Sequence, residues 1–389
     1  MVRSHVSDFS GMKIVVSGYY GFDNLGDELI LQTLIQYAKS RQCEITVLSH
    51  NPQKTTEQYG VSAIPRTHLV EIFKCFAQSH LLISGGGGLF QDTTGPASPI
   101  YYGGLILLAD YLKLPVIIWG QGVGPLKQPL SKIMTQWAFS KAHPILVRDE
   151  KSKTLIQDLF QNNPSKLPLQ VTADPVWLWQ ANDFGNKTEL SPEGVRVGVS
   201  LREWPSLSSQ GIEALAKALS HWIHQAQIHA PDLPIELLFM PFQETQDIPV
   251  LKQFETTLSS QLELTKTHVQ YSWISPQAIL QVMPSLNFMV AMRFHALLLG
   301  LTQNQFPIFA IAYDPKVKTL SEQCEVQYSL PEELDELPPQ AFEKCSFEKT
   351  TKTFYPAVAY QKEKAQANTE SLDALILEIR TALLVQSDF

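Results

Sequence analysis

Short apolar runs that pass directly into glycine-rich or charged turns, and then into helices, recur along this chain. That recurrence restricts the fold more than any other feature. Met12–Gly18, Leu81–Ser84 and Val116–Trp119 read as strands. The turns that follow them are Gly18-Tyr-Tyr-Gly-Phe-Asp-Asn-Leu-Gly-Asp-Glu28, Gly85-Gly-Gly-Gly-Leu-Phe-Gln-Asp92 and Gly120-Gln-Gly-Val-Gly-Pro125. Glu44–Ser49, Ile145–Asp149 and Val171–Val176 are further strands of the same half, with an apolar helix from Leu29 to Ala38. Strand, turn and helix in repetition mean an α/β fold with a parallel sheet and its turns gathered on one edge.

The pattern restarts after a polar stretch, Ala181–Glu193, read as a linker. Arg196–Leu201, Ile235–Met240, Val269–Trp273, Phe288–Met292 and Pro307–Ala312 are strands. Gly211–His229 is an amphipathic helix, Pro276–Met283 is helical, and another helix begins near His295. A length of 389 residues suits two such domains. The expected division is 1–182, 194–326, and a loop-rich tail with a closing helix over 327–389. That helix, Ser371–Val385, has an apolar face of Leu372, Leu375, Ile376, Ile379, Ala382 and Leu383 that needs a surface to pack on. Two doubly wound halves leave a cleft between them, the usual place for a small-molecule site.

Composition narrows the function. A net charge of -8 makes nucleic-acid binding an unexpected role. Cys43, Cys75, Cys324 and Cys345 have no metal-type or disulfide-type spacing, which suits a reducing compartment. No signal-type segment precedes the first strand, and no apolar run reaches the roughly 18 residues of a membrane span. A cytoplasmic protein is expected, with peripheral contact at a membrane surface left open. The sequence has no GK[ST] phosphate loop, G-x-S-x-G elbow or HExxH pair, which weakens kinase, serine hydrolase and zinc hydrolase readings.

In an open α/β sheet, ligands bind at the carboxyl ends of the strands, where helix N-termini also point. The second half places Arg202, Arg293 and Lys316 at such ends, with His295 beside them. Three cations converging on one edge suit a guest that carries phosphate and carboxylate, and arginine can grip either in bidentate fashion. The first half offers glycines, amides and carboxylates instead: Asn24, Asp27, Gln91 and Asp92 suit a ligand with many hydroxyls. Asp27, Asp92 and Glu28 equally suit helix caps and turns. Lys316 equally suits a solvated helix start.

Taken in order, Gly18–Glu28, Ser84–Gly88 with Gln91-Asp92, Trp119–Pro125, Arg148-Asp149, Asp174-Pro175, Met292-Arg-Phe-His-Ala296 and Tyr313-Asp-Pro-Lys316 resemble the polysaccharide pyruvyl transferases of the CsaB type. The resemblance runs from about residue 13 to about 320. It implies two Rossmann-like domains in a glycosyltransferase-B-like arrangement, with the active site in the interdomain cleft. It also implies phosphoenolpyruvate as donor and a sugar diol of a cell-surface polysaccharide, or of its lipid-linked precursor, as acceptor. The product is then a pyruvate ketal, with phosphate released.

On this reading Arg202, Arg293, Phe294, His295 and Lys316 bind the donor. Gly21, Asn24, Gly86, Gly87, Gln91 and Gln121 bind the acceptor. His295 protonates the methylene carbon, and Asp27 or Asp92 takes the proton of the attacking hydroxyl. No metal and no cofactor are expected. Two other readings stay open: a nucleotide-sugar glycosyltransferase of the same fold, and a sugar-binding protein without catalysis.

Overall fold

The computed structural model describes residues 9–93, 95–161, 167–179, 194–229, 234–264, 269–343, 345 and 355–387. The segment read as a linker, Ala181–Glu193, lies outside them. By its contacts the chain forms two units, Met1–Leu178 with Gln361–Phe389, and Trp179–Tyr360.

The strands of the first unit are β1 (Lys13–Ser17), β2 (Glu44–Ser49), β3 (Ser62–Pro65), β4 (Leu81–Ser84), β5 (Gly87–Phe90), β6 (Val116–Val123), β7 (Ile145–Val147) and β8 (Leu169–Val171). They lie in the order β3-β2-β1-β4-β6-β7-β8, with β5 paired to β6, and every pairing is parallel. β4 and β6 are buried along their whole length, as strands covered on both faces must be. The strand order reverses between β1 and β4, which makes that junction the switch point of the sheet. Ser17 stands beside Ser84 there. The N–H of Gly85 donates to the carbonyl of Ser17 at 2.8 Å, so the turns after the two strands lie side by side. The expected strand Val171–Val176 is instead β8 followed by a 3-10 turn over Pro175–Leu178. Pro175 has no N–H for a sheet ladder.

Helices Leu69–Ala77, Ala97–Tyr111, Pro129–Phe139 and Glu150–Leu159 bury Ile72, Phe76, Tyr102, Leu105, Ile106, Ala138, Phe139 and Ile156 in one core cluster with Val15, Leu82, Val116 and Ile118 of the sheet. The closing helix is longer than expected, Ala357–Ser387. It is pinned to the first unit by Asn368, whose side chain accepts from Thr172 Oγ1 (2.8 Å) and donates to the carbonyl of Ala173 (2.8 Å). Further along, Asp373 accepts from the Tyr37 hydroxyl at 2.7 Å and from Arg41 Nη2 at 2.8 Å. Leu372, Leu375 and Ile376 are buried, but Ala382 and Leu383 are exposed. The expected apolar face therefore ends before the helix does.

In the second unit the strands are β9 (Val195–Ser200), β10 (Ile235–Phe239), β11 (Gln270–Trp273), β12 (Phe288–Ala291), β13 (Ile308–Ile311) and β14 (Gln327–Ser329). Their order is β11-β10-β9-β12-β13-β14, all parallel. This is the doubly wound dinucleotide-fold order, with its switch point between β9 and β12. Residues after 326, read as tail, thus begin with the edge strand of this sheet. Helix Glu244–Leu264, which the sequence reading lacked, buries Leu251, Phe254, Leu258 and Leu262 at helical spacing. Two doubly wound α/β units are the fold class that the strand–turn–helix recurrence implies.

Candidate functional site

The second sheet sets Ala291 of β12 directly beside Ser200 of β9. Arg202 and Arg293 each follow two residues later, so they leave adjacent strands at the same level of the switch point. Arg293 is the N-cap residue of helix Phe294–Gln303, in extended conformation. Arg293 is buried, at 7% exposure. Nε donates to Asp247 Oδ1 at 3.0 Å, and Nη2 bonds the same carboxylate. Asp247 is fully buried in the first turn of helix Glu244–Leu264, where its Oδ2 also accepts the N–H groups of Phe242 and Gln243, both at 2.9 Å. Arg293 is therefore fixed by a carboxylate that is itself fixed by the backbone.

Arg202 is half-buried and held more lightly. Nη1 donates to the Tyr313 hydroxyl at 3.1 Å, and Nη2 donates to Gln246 Oε1 at 3.2 Å. Its guanidinium lies over the Tyr313 ring at 4.9 Å and the Trp204 ring at 5.3 Å, a cation–π placement. Gln246 Oε1 also accepts from Arg293 Nη2 at 3.1 Å. Two guanidinium groups thus meet on one neutral amide oxygen. Arg202 Nε and Ser200 Oγ are buried with no hydrogen-bond partner among the described residues.

His295 is half-buried in the first turn of the helix that Arg293 caps. The ring of buried Phe294 meets it edge-on at 5.2 Å. Lys316 opens helix Pro315–Gln323, capped by Asp314, and its Nζ lies 3.7 Å from the Asp314 carboxylate. It shares the strand-end edge with the arginines but has its own acidic partner.

Around the first switch point, several expected ligand groups have structural partners. Asn24 is the N-cap of helix Leu25–Ser40, accepting from the N–H of Gly26 at 3.2 Å. The N–H of Gly21 donates to Glu28 at 2.8 Å, and the Tyr59 hydroxyl donates to the other Glu28 oxygen at 2.6 Å. Burial pushes the Glu28 carboxyl up, against the pull of those two donors. Asp92 is buried, and its carboxylate accepts the N–H groups of Lys127 (2.8 Å) and Gln128 (2.6 Å). Burial alone raises an acid, but these backbone donors outweigh it and hold Asp92 below the usual carboxylate range. A carboxylate so engaged is a weak proton acceptor. Gln91 turns back on the N–H of Thr93 at 2.8 Å.

Asp27 differs. It sits half-buried in the first helical turn, and its Oδ1 lies 2.8 Å from where a side chain on Gly87 would begin. Gly87 has φ +94°, so both conformation and space demand glycine there. Gly86 is packed as closely, with the carbonyl of Gly120 at 3.1 Å from the equivalent point. Gln121 is fully buried, and its Nε2 donates to the carbonyl of Gly87 at 2.8 Å. Its Oε1, with Ser17 Oγ and Tyr20 OH, is buried without a partner among the described residues. Burial, with the Asp27 charge next, pushes the Tyr20 hydroxyl well above its ordinary range.

Sequence reasoning missed Gln246 and Asp247, and also Ser17 and Ser200, the last residues of β1 and β9, each at the switch point of its own sheet. Gln246 and Asp247 stand in the first turn of the helix that follows β10, and only the proximity of β10 to β9 and β12 could have flagged them.

A model of the polysaccharide pyruvyl transferase family matches residues 24–315. No curated protein matches. Among solved structures, the chain is similar to the UDP-GlcNAc 2-epimerase from Methanocaldococcus jannaschii, at 12% identity and a TM-score of 0.58 over 92% of this chain and 99% of that one. It is also similar to UDP-GlcNAc 2-epimerase from Neisseria meningitidis, at 13% identity and TM-score 0.54 over 93% of this chain and 99% of that one. A glycosyltransferase from Rickettsia africae ESF-5 gives 11% identity and TM-score 0.53 over 97% and 98%. At such identities the likeness shows the fold alone. The family match runs through both units, from the cap of the first helix to the start of the helix that follows β13, and the chain belongs to the polysaccharide pyruvyl transferase family.

Proposed function

We propose that the chain transfers pyruvate from phosphoenolpyruvate to two hydroxyls of a cell-surface polysaccharide sugar or its precursor, forming a ketal and releasing phosphate. The observation that carries this reading is the meeting of Arg202 and Arg293 on Gln246 Oε1. Two cations held this close favour an anion with more than one charge. Phosphoenolpyruvate brings a phosphate and a carboxylate. Arg293, locked by Asp247, is the fixed half of the clamp, and Arg202, with its buried Nε unspent, is the adaptable half. Lys316 and the N-terminus of helix Phe294–Gln303 add positive potential on the same edge.

The reaction then needs a proton at the methylene carbon, supplied by His295 acting as general acid. A sugar hydroxyl attacks the central carbon and phosphate leaves. The second hydroxyl closes the ring. Of the two hydroxyl protons released, one restores the acid and the other leaves with phosphate. Asp27 is the better base of the two aspartates, because Asp92 is spent on backbone N–H groups. Gly86, Gly87 and Gln121 belong to the acceptor side, where buried Gln121 holds the carbonyl of Gly87 in place.

The test is phosphate release from phosphoenolpyruvate in the presence of candidate sugar diols. Release that depends on the sugar, and that Arg202→Ala abolishes, supports the proposal. Phosphoenolpyruvate inert with every sugar, while a nucleotide sugar is consumed, refutes it in favour of glycosyl transfer.

A further inference from the structure

Helix Pro129–Phe139 is turned with its larger apolar side outward. Ser131 and Thr135 are fully buried, whereas Leu130, Ile133 and Trp137 are 49%, 42% and 56% exposed. Spacings of three and four residues put these three on one stripe. An ordinary surface helix does the reverse. A single exposed leucine means nothing, but an aligned stripe ending in tryptophan on an inverted helix does.

Two other helices of the same unit also expose apolar side chains. Helix Ala97–Tyr111 packs closely on this helix, with Gly103 against Met134 and Ala138. Tyr111 is 77% exposed, beside the Asp110–Lys141 ion pair that ties the two helices together. Helix Leu69–Ala77 belongs to the same core cluster of the sheet, and it exposes Leu69, Val70 and Phe73.

Charge selects what covers this face. The chain as a whole carries -8. Yet from Lys127 to Arg148 it has no acidic residue; Lys127 just before the helix and Lys132 on it are exposed, while Lys141 beyond its end is paired with Asp110. A basic, tryptophan-bearing apolar helix face inside an acidic protein is the composition of an interfacial helix on an anionic bilayer. None of the described helices is long and apolar enough to cross a membrane. The helix also starts at the ligand edge: Gln128, its N-cap, donates its N–H to Asp92 in the turn region after β4 and β5.

We infer that this face, centred on Leu130, Ile133 and Trp137 with Lys127 and Lys132, docks the chain on an anionic lipid surface. The inference stands apart from the proposed reaction. Its test is co-sedimentation of the full chain with vesicles of phosphatidylcholine alone or with phosphatidylglycerol, for wild type, Ile133→Ser/Trp137→Ser and Lys127→Glu/Lys132→Glu. Wild type should bind only the vesicles that contain phosphatidylglycerol, and salt should release it. Each double variant should bind about tenfold or more weakly, with the melting temperature of wild type. No wild-type binding to phosphatidylglycerol vesicles overturns the inference, as does binding that both variants retain. A concentration-dependent dimer that Ile133→Ser/Trp137→Ser disperses, without vesicle binding, also overturns it and assigns the face to a second copy.

Discussion

Asp247→Ala examines the support of the arginine clamp. The substitution removes the acceptor of two backbone N–H groups, from Phe242 and Gln243, and of two guanidinium nitrogens of Arg293. Asp247 is fully buried and Arg293 nearly so, so water cannot replace the lost bonds freely. Breaking a buried ion pair from one side costs about 3–5 kcal/mol. For a unit of this size that is a fall in melting temperature of about 6–20 °C. Asp247→Asn keeps the volume and one acceptor oxygen, and should fall between the variant and wild type. The double variant Arg293→Ala/Asp247→Ala no longer buries an unpaired charge, so it should lose less than the two single losses added together, by at least about 1 kcal/mol. Thermal and urea melts followed by circular dichroism read all four proteins. Should Asp247→Ala melt within about 1 °C of wild type, or the single losses simply add, the pair is not the buried anchor described here.

Asp92→Asn tests the other aspartate. Its folded pKa is depressed, so its stabilisation is complete above the unfolded value of about 4 and is lost as pH falls through the folded value. Urea midpoints should therefore drop on acidification below about pH 4 in wild type, with a shallower drop in Asp92→Asn; equal slopes contradict the capping role. Asn368→Ala strands the carbonyl of Ala173 and removes one partner of Thr172. It should cost about 2–4 kcal/mol and open the closing helix to limited proteolysis, and an unchanged digestion pattern would refute that pinning role.

Both sheets were legible because their central strands are apolar without interruption, as in Leu81–Ser84 and Phe288–Ala291. Edge and glycine strands were not. β3 reads Ser-Ala-Ile-Pro, and β5 begins with two glycines, so neither carries a strand signal of its own. Helix Leu25–Ser40 begins four residues before the expected Leu29, because Gly26 in its first turn hides the start that Asn24 caps. Helix Glu244–Leu264 is masked by Pro249 within it.

At the site, Arg293 and His295 stand out because they interrupt an apolar strand and an apolar helix. Gln246 and Asp247 do not, since they lie 47 and 46 residues away in the polar first turn of helix Glu244–Leu264 and meet Arg293 only through the strand order. Asp92 shows the converse situation. A carboxylate beside a glycine turn has the composition of a ligand, but its partners here are the N–H groups of Lys127 and Gln128.

The central claim is that Arg202 and Arg293 bind one donor with two anionic groups, and calorimetric titration with phosphoenolpyruvate tests it most directly. Wild type should bind at a single site, and a hundredfold excess over the dissociation constant should stabilise it by about 2.7 kcal/mol. Arg202→Ala should melt like wild type without ligand and bind about 10- to 150-fold more weakly, the loss of one charge-assisted bond of about 1.5–3 kcal/mol. Wild type that takes up no phosphoenolpyruvate, or Arg202→Ala that binds it as wild type does, would contradict the account.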